Sequence, residues 1–372
     1  MARRRETVIV GGGAMGSATA WHLSRRGREV TLLERFGARH TMGASHGRSR
    51  NFNVTYVDPV YQELLREAGV LWRALEDESG AALLELVGIT NHGAGIGPGL
   101  ADELGALGVR ASMLTPAEAA ERWPGIRFDT RVLFTPDGGR LDADEAVATL
   151  QSEAVRHGGE VLLETPVDGI HVRADGRVEV TTRDDMYVAD TVVVTAGAWT
   201  EKLLGTSVTL PRLVVTQEQP AHFAVTDPTV AWPSWNHLPE PDSARYDYWY
   251  SPTYGTLTPG EGLKAGWHGA GPVTDPDART FEPEPVQLAA LQRYAREWLP
   301  GVDADAMTAI SCTYTSTTDT DFVLDRVGPV VIGTGFSGHG FKFVPTIGRI
   351  LADLVDGTSR PDTKFALGRA GV

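Results

Sequence analysis

The 372-residue sequence predicts an α/β protein in which a nucleotide-binding, Rossmann-like domain contains an inserted β-rich (α+β) domain. The first observation is a strand, a glycine-rich turn and a helix within the first 35 residues. The second is another apolar strand with a glycine turn and a helix after residue 330, and the third is a middle region rich in prolines and aromatic residues. Because a domain usually has about 100–200 residues, this length fits two domains, one of them assembled from separate pieces of chain.

Composition and charge limit the class of protein and its partners. Lys and Arg number 34 against 48 Asp and Glu, and this net charge of −14 argues against nucleic acid or an anionic membrane surface as a partner. The single cysteine, Cys312, excludes an intrachain disulfide and a multi-cysteine metal site, and we expect no metal. No apolar run reaches the roughly 18 residues of a membrane span, and no signal peptide follows the basic start. We therefore expect a soluble, cytoplasmic protein.

The N-terminal half alternates predicted strands and helices. A strand over Thr7–Val10 leads into the turn Gly11–Gly16, a helix follows from Ser17 to Arg26, and the next strand covers Glu29–Leu33. The β-branched run Thr191–Thr195 predicts a central strand of a covered sheet. The other elements predicted in this half are helices over 59–78, from 115 onward and over 142–157, and strands over 160–165, 169–172 and 178–182.

The C-terminal half changes character twice. Prolines, turns and aromatic residues are frequent from 210 to 316, where one helix is predicted over Pro285–Trp298. A buried-strand pattern returns at Val330–Ile332, followed by a glycine-rich turn and a helix over 345–354. We therefore assign the nucleotide-binding domain to residues 1–85, 142–205 and 312–372, and the substrate domain to 86–141 and 206–311.

The glycine-rich turn after the first strand predicts a dinucleotide site. In the pattern G-x-G-x-x-G, Gly11 permits a tight turn, Gly13 lets the backbone approach a phosphate, and Gly16 lets the helix pack closely on the strand. The N-terminus of the helix then faces a pyrophosphate. Glu34 ends the second strand, where an acid hydrogen-bonds an adenosine ribose. The chain is therefore expected to bind a dinucleotide.

A second glycine-rich junction, far along the chain, favours FAD over NAD. Residues 333–342, GTGFSGHGFK, follow a predicted strand and precede a helix, and residues 194–200, VTAGAWT, form a third strand end of this kind. An enzyme that uses NAD alone has little need of a second glycine-lined approach so late in the chain. FAD is longer and accounts for this second approach, because a late segment of the same domain meets its flavin end.

These residues resemble the monomeric sarcosine oxidase and N-methyltryptophan oxidase family of FAD-dependent amine oxidases, within the D-amino-acid-oxidase-like superfamily. The likeness covers nearly the whole chain, in the family's order and near its spacing, and is poor only over 206–260. The matching segments are His40–Gly47 with Arg50, Gly262–Lys264 with His268, Cys312–Thr315, and Gly335–Lys342.

The resemblance implies an FAD held covalently through the sulfur of Cys312 to the 8α carbon of the flavin. A thiolate can add to an electrophilic form of that methyl group, and nearby cations favour the thiolate. A lone cysteine is otherwise an ordinary small core residue. With the glycine motifs, the resemblance implies cofactor contacts from Gly11, Gly13, Ala14, Met15, Gly16, Glu34, Arg35, Ser45, Ser49, Arg50, Val167, Ala196, Gly197, Trp199, Cys312, Gly335, Gly338, His339, Gly340 and Lys342.

Four residues match the family's catalytic positions. Lys264 resembles the lysine beside flavin N5 that promotes reaction with oxygen, since a fixed ammonium stabilises superoxide. Arg50 resembles an arginine that lies against the flavin, and His268 and Tyr314 match pocket residues. The structural alternatives are a solvent-facing lysine, a surface ion pair, and a buried histidine and tyrosine with satisfied hydrogen bonds.

The substrate positions depart from the family. Lys342 resembles one of two cations that bind the substrate carboxylate, but Asn53 stands where the family has the second, an arginine. An asparagine cannot form a bidentate, charge-assisted pair, and losing such a partner costs about 1.5–3 kcal/mol unless another group compensates. Arg48 is the nearest candidate, and Ser45 replaces a family histidine. We therefore expect a substrate other than sarcosine.

Aromatic residues are concentrated between 232 and 254. This cluster, which includes Trp249 and Tyr250, predicts either the wall of a pocket for a bulky amine or the core of the substrate domain's sheet. The first interpretation makes Trp249 and Tyr250 substrate contacts.

The resemblance implies a flavin-dependent oxidase of a secondary amine or amino acid with an N-methyl, cyclic or bulky substituent. A neutral amine passes a hydride equivalent to flavin N5 and becomes an imine, and O2 reoxidises the flavin to give H2O2. The expected partners are the small-molecule amine and O2, with no nucleic acid and no membrane, and the chain is expected to be a monomer. The alternatives are an amine dehydrogenase with a non-oxygen acceptor and a non-catalytic flavin-binding subunit.

Overall fold

The computed structural model describes residues 3–240, 244–360 and 362–369. Its α-helices are α1 (Ala14–Arg25), α2 (Pro59–Ser79), α3 (Leu100–Ala106), α4 (Pro116–Arg122), α5 (Ala143–Arg156), α6 (Thr200–Leu204), α7 (Pro285–Trp298) and α8 (Val344–Asp356).

Strands outnumber helices in this part of the chain and form four sheets. They are β1 (Arg3–Val10), β2 (Val30–Leu33), β3 (Arg50–Phe52), β4 (Leu84–Glu85), β5 (Ile89–Gly93), β6 (Ser112–Leu114), β7 (Val132–Thr135), β8 (Gly139–Leu141), β9 (Glu160–Leu162), β10 (Val167–Val172), β11 (Val178–Thr182), β12 (Met186–Val194), β13 (Val214–Glu218), β14 (Ala221–Val225), β15 (Ser234–Leu238), β16 (Thr253–Thr258), β17 (Gly262–Trp267), β18 (Val302–Ala309), β19 (Cys312–Ser316), β20 (Val323–Val327) and β21 (Val330–Thr334).

The first large sheet has a parallel centre of β9, β2, β1, β12 and β21. The hairpin of β10 and β11 continues it on one side through β11 and β12, and β20 adds an antiparallel strand beside β21. The carboxyl ends of the parallel strands meet at one edge, where β1, β12 and β21 are each followed by glycine-containing segments. In open parallel sheets this edge is where ligands bind.

Helices cover one face of this sheet. The apolar residues of α1, α2, α5 and α8 share a core with Ile9, Leu32, Val193 and Val331 of the parallel strands. The helices α1 and α8 cross closely at Gly348, where a Cβ atom would stand 2.5 Å from the Cβ of Ala18. Because each central strand is covered, its sequence is mostly apolar and β-branched, as the run Thr191–Val194 shows.

The second large sheet has the order β18-β14-β17-β16-β15-β5-β7-β6. Its strands run antiparallel except for the parallel pair β5 and β15. One face packs on α7 and a cluster rich in tryptophan and tyrosine, which includes Trp235, Tyr294 and Trp298. Two smaller sheets join the large ones, β3-β8-β4 and the pair β13-β19.

The fold class predicted from the sequence is confirmed, with local differences in element bounds. The helix α7 has the predicted limits, whereas α1 begins at Ala14 instead of Ser17, so its first turn lies inside the glycine motif. The strand β12 begins at Met186 because its first half pairs with β11 and only its second half pairs with β21. Among the described residues, no helix is both long and apolar enough to cross a bilayer.

Candidate active site

One cavity of about 1290 Å³ lies between the carboxyl edge of the first sheet and one face of the second. Cavities for a single small ligand usually measure about 300–1,000 Å³, so this one has room for a dinucleotide together with a substrate. Its lining comes from the glycine turn after β1, the ends of β2, β12 and β21, and the strands β3, β5, β15, β16, β17 and β19.

The glycine turn forms part of the cavity wall. Gly11 has a φ of +103°, and a Cβ there would stand 2.5 Å from the carbonyl oxygen of Thr195. A Cβ on Gly16 would stand 2.0 Å from the carbonyl oxygen of Gly11, so α1 starts in direct contact with the turn. Gly13, Ala14 and Met15 line the cavity at the N-terminus of α1. The backbone is thus held where a helix N-terminus can meet a phosphate.

Glu34 is fixed at the end of β2 by backbone donors. Its Oε2 accepts a hydrogen bond from the N–H of Gly12 at 2.7 Å, and its Oε1 accepts one from the N–H of Phe36 at 2.9 Å. The side chain is buried, lines the cavity and lies 3.4 Å from Nε2 of His40. This carboxylate stands beside the glycine turn, in the position that suits a ribose hydroxyl. The glycine cradle and Glu34 together fit the adenosine half of FAD.

Another part of the cavity wall contains Cys312, with the cations Arg50 and Arg279 nearby. Cys312 lines the wall at the start of β19, with its sulfur 4.0 Å from the carbonyl oxygen of Ala44. Arg50 donates to the carbonyl oxygens of Ser49, Ala44 and His46 at 2.8, 2.9 and 2.5 Å. Arg279 donates to the hydroxyl of Ser311 at 2.9 Å, next to the cysteine in the chain. The sulfur of Cys312 is therefore accessible from the cavity and has two guanidinium groups near it.

Lys264 enters this region from β17 and is buried. Its ammonium donates to the carbonyl oxygen of Ser49. Burial, and secondly the positive charge of Arg50, lower the pKa of Lys264 to about 7. Near pH 7, the charged and the neutral forms of this lysine are therefore both populated.

Lys342 ends a chain of hydrogen bonds in the cavity wall. Its Nζ donates to the hydroxyl oxygen of Tyr56 at 3.1 Å and to the carbonyl oxygen of His339 at 2.6 Å. The hydroxyl of Tyr56 lies 3.2 Å from Nδ1 of His339, whose Nε2 lies 3.0 Å from the carbonyl oxygen of Thr320. If Nε2 donates to Thr320, Nδ1 accepts the tyrosine proton, and one N–H of Lys342 stays available for a ligand. Burial lowers the pKa of Lys342 to about 7.

His268, Tyr314 and Tyr254 form a neutral wall beside Lys342. The hydroxyl of Tyr314 lies 3.4 Å from Nδ1 of His268, and the ring centroids of Tyr254 and His268 are 6.2 Å apart. Burial, and secondly the charge of Lys342, lower the pKa of His268 to about 4, and burial raises the pKa of both tyrosines. Gly338 is required here, because it has a φ of +76° and a Cβ would stand 2.1 Å from the Tyr314 ring.

The structure brings most of the predicted site residues together in this cavity. Those that line it are Gly11, Gly13, Ala14, Met15, Glu34, Arg35, Ser45, Arg50, Asn53, Val167, Ala196, Gly197, Trp199, Lys264, His268, Cys312, Tyr314, Gly335, Gly338, His339, Gly340 and Lys342.

Two predicted cofactor contacts lie behind the cavity wall. Gly16 faces the carbonyl oxygen of Gly11, so it shapes the turn without reaching the cavity itself. Ser49 is buried, and its hydroxyl lies 2.6 Å from that of Thr258, while its carbonyl oxygen accepts from Lys264. Both residues therefore act on the site through the groups that they position.

Three residues expected near the substrate lie elsewhere. Trp249 packs against Trp267, Tyr294 and the imidazole of His237 on the far side of the second sheet, so the structure favours the sheet-core interpretation. Tyr250 is 45% exposed and does not line the cavity. Arg48 pairs with Asp142 at 3.5 Å and donates to the carbonyl oxygen of Pro259, so it does not replace the missing arginine. Trp249 and Tyr250 lie in the segment before β16, and Arg48 lies in the segment before β3, so no strand periodicity indicates which way their side chains face.

The cavity also has polar lining that the sequence motifs did not indicate. Tyr56, Tyr254, Asn51, Asn91 and Asn236 all line it. The sequence indicated the two asparagines of β5 and β15 only weakly. Each is a polar amide inside an otherwise buried strand, a position that is unfavourable for asparagine.

Comparison with known proteins identifies the family. Residues 6–354 match the family described as FAD dependent oxidoreductase. The chain belongs to this family. This FAD-dependent oxidoreductase is 32% identical to the peroxisomal sarcosine oxidase of Mus musculus over 370 residues, 94% of this chain and 91% of that protein. It is 30% identical to the monomeric sarcosine oxidase of Bacillus sp. (strain NS-129) over 369 residues, 95% of this chain and 93% of that protein.

A solved structure shows the same fold. The FAD-dependent oxidoreductase superposes on the open form of NikD, described as an unusual amino acid oxidase essential for nikkomycin biosynthesis, with a TM-score of 0.88 and 28% identity. The superposition covers 100% of this chain and 99% of that chain. The resemblance inferred from the sequence motifs is thus confirmed, and FAD is the cofactor that the family uses.

We predict that Gly16→Ala prevents retention of FAD. The added methyl group would meet the carbonyl oxygen of Gly11 at 2.0 Å and push α1 away from the turn, which displaces the N–H groups that face the pyrophosphate. Flavin absorbance per purified protein should fall at least about tenfold, because FAD must first bind at the turn before the protein can retain it, and misplaced phosphate contacts cost more than the 1.4 kcal/mol that corresponds to a factor of ten.

Gly37→Ala is the matched control, because Gly37 lines the same cavity and a Cβ there would meet no atom within 4 Å. This variant should keep its flavin. Full retention of flavin by the Gly16→Ala protein, with an unchanged melting temperature, would contradict this account of the turn.

Proposed function

We propose that this chain is an FAD-dependent oxidase of a secondary amine or amino acid, acting on a CH–NH bond and using O2 as the electron acceptor. The observation that carries the proposal is the placement of two buried lysines, Lys264 and Lys342, in the wall of the cavity that also contains the adenosine cradle. The sarcosine oxidases named above are amine oxidases of the same family. We also propose that the protein is a monomer, that its substrates are small molecules and that it is located in the cytoplasm.

Lys342 is the proposed partner of a substrate carboxylate. The ammonium of Lys342 donates one N–H to the hydroxyl oxygen of Tyr56 and one to the carbonyl oxygen of His339. Its third N–H is therefore available to a ligand in the cavity. Asn53 contributes less than an arginine, because its amide oxygen already accepts from the backbone N–H and hydroxyl of Thr55, at 2.9 and 2.5 Å. A single buried ammonium binds a carboxylate without the bidentate geometry of a guanidinium. This favours substrates that gain binding energy elsewhere, such as bulky or cyclic amino acids.

The substrate amine is proposed to bind unprotonated. His268 and both tyrosines of the wall are neutral near pH 7, and Lys342 adds positive charge. Of the described carboxylates that line the cavity, Glu34, Asp144, Asp168 and Asp277, none hydrogen-bonds to His268, Tyr314 or Lys342. An ammonium ion brought into this wall would lose its hydration without gaining a counter-ion. The site thus selects the neutral amine, whose lone pair assists loss of a hydride equivalent from the adjacent carbon.

When bound, FAD supplies the acceptor for the two electrons and the hydrogen that the amine loses on becoming an imine. Lys264 then has a separate role toward oxygen. Its ammonium is buried and fixed by the carbonyl oxygen of Ser49, so it needs no reorganisation to stabilise the negative charge that O2 acquires with its first electron. With two electrons and two protons, O2 becomes H2O2.

Covalent attachment of FAD at Cys312 is part of the proposal. The sulfur lies in the cavity wall, and Arg50, Arg279 and Lys264 lie around it. Arg279 is buried, and its Nε has no partner in the described part of the chain. The cysteine would form one sulfur–carbon bond to the flavin methyl group, with loss of two electrons and two protons to an acceptor such as O2.

The experiment for the proposed function follows flavin absorbance without oxygen while amines are added, and then admits air. The panel pairs N-methyl and cyclic amino acids with their carboxylate-free analogues. Bleaching by an amino acid, followed by recovery and H2O2 in air, is the expected result. Bleaching that only a dye acceptor reverses would indicate a dehydrogenase, and a flavin that dithionite reduces but no amine bleaches would contradict catalysis on amines.

Lys264→Met should slow the reaction with oxygen while leaving reduction by the amine largely intact. Removing one preorganised charge-stabilising group costs about 100-fold or more in rate, and here the lost charge faces O2 rather than the amine. Stopped-flow mixing of the reduced protein with air-saturated buffer measures the rate. Lys364→Met is the control, because Lys364 pairs with Asp58 and Asp321 outside the cavity. An unchanged oxygen rate in Lys264→Met would remove this lysine from the mechanism.

Carboxylate binding should weaken as the pH rises through about 7, because the Lys342 ammonium loses its proton there. Benzoate is a suitable probe, since a carboxylic acid stays ionised above about pH 6 and benzoate has no amine to titrate. Its Kd, measured from the flavin spectrum between pH 6 and 9, should increase with pH. In Lys342→Met the Kd should be at least about tenfold higher at pH 6, as a charged hydrogen bond contributes about 1.5–3 kcal/mol. A pH-independent Kd that Lys342→Met leaves unchanged would contradict this role.

A further inference from the structure

A row of side chains crosses the second sheet on its cavity face. Asn91 on β5 is paired in register with Leu133 on β7 and with Asn236 on β15, and Asn236 is paired with Tyr254 on β16. Residues directly opposite on neighbouring strands project to the same face, and all four of these line the cavity. The row therefore extends from the wall of Tyr254 and His268 to an apolar end at Leu133.

The amides of this row are not satisfied within the described part of the protein. Nδ2 of Asn236 donates to Oδ1 of Asn91 at 2.8 Å, which leaves Nδ2 of Asn91 buried without a partner. Asn91 is only 5% exposed. Nearby on β3, Asn51 donates to the carbonyl oxygen of Trp235 at 3.3 Å, and its Oδ1 is buried without a partner. One free donor and one free acceptor thus remain at the cavity wall.

The sheet itself offers these amides no other partner. On the opposite face of β5 and β15, His92 and His237 stack with ring centroids 3.8 Å apart, in an aromatic core with Phe128 and Trp298. A buried polar group without a partner destabilises the protein, so a ligand that pairs with it recovers the lost free energy. The partner must therefore come from the cavity side.

We propose that Asn91, Asn236 and Asn51 form a subsite for a neutral hydrogen-bonding group, a carboxamide or hydroxyl, on the side chain of the amine substrate. The inference rests on the proposed function and specifies its substrate class. The subsite contains no charged side chain, and a charged group placed there would lose its hydration without a counter-ion, so it selects neutral groups. A substrate held at Lys342 and His268 would extend past Tyr254 to reach it, with its apolar portion against Leu133 or Leu238.

Pairs of isosteric substrates test the subsite in the holoenzyme. N-methyl-asparagine and N-methyl-leucine have the same branched shape and differ in the amide, and N-methyl-glutamine and N-methyl-homoleucine form a longer pair. Titration without oxygen reports binding, as a shift of the flavin spectrum, and reduction, as bleaching. In one of the two pairs the amide member should bind about tenfold more tightly, because its amide gains hydrogen bonds to groups that otherwise have no partner.

Asn91→Leu, which keeps the volume and removes the amide, should abolish this preference while leaving the Kd of the apolar member within about twofold. Asn236→Leu is a second variant, expected to reduce the preference because Asn236 orients the Asn91 amide. Binding of the apolar member and the melting temperature show that each variant is folded.

The outcomes separate the two proposals. Amide members that bind preferentially but do not bleach the flavin would support the subsite and contradict the oxidase. Bleaching without any preference for the amide members, or a preference that survives in both variants, would overturn the subsite and leave the oxidase standing.

Discussion

The strand β12 is the element on which the arrangement of the site depends. It pairs with β1 along its whole length on one side, and with β11 and then β21 on the other. This pairing aligns the ends of β1, β12 and β21, so segments more than 300 residues apart in the sequence meet at one edge of the sheet. The contact between Gly11 and the carbonyl oxygen of Thr195 is so close that only glycine fits, and it sets the position of α1 and of the turn.

Burial of positive charge is the second feature that organises the molecule. Arg50 and Lys264 line the cavity near Cys312, the buried Arg279 lies behind its wall, and Lys342 lines the same cavity. Carbonyl oxygens hold these cations in place: Ser49 for Lys264, His339 for Lys342, Met42 for Arg279. Backbone acceptors carry no net charge, so the cations remain available to an anion in the cavity. The net charge of the chain is −14, yet its positive charge is concentrated where a flavin, a substrate carboxylate and reduced oxygen would bind.

The parts of the site that could be predicted from the sequence are those determined by short-range geometry. The turn at Gly11–Gly16 and the acid at Glu34 follow from local backbone requirements, and the segment Gly335–Lys342 has a distinctive pattern of glycines. The face of a strand that meets the cavity depends instead on long-range register. Trp249 and Tyr254 are five residues apart in one aromatic run, yet one packs in the core behind the sheet and the other lines the cavity. Asn91 and Asn236 become neighbours only through the parallel pairing of β5 and β15, which no local pattern indicates.

The central claim is that one cavity holds FAD with its adenosine half at the glycine turn and its flavin at Cys312. Mass spectrometry of the proteolytic peptide that contains Cys312 tests this most directly, after acid precipitation of the protein. The account predicts that this peptide carries the additional mass of FAD and that the same peptide from Cys312→Ala does not. An unmodified Cys312 peptide, with all flavin released into the acid supernatant, would contradict the covalent assignment.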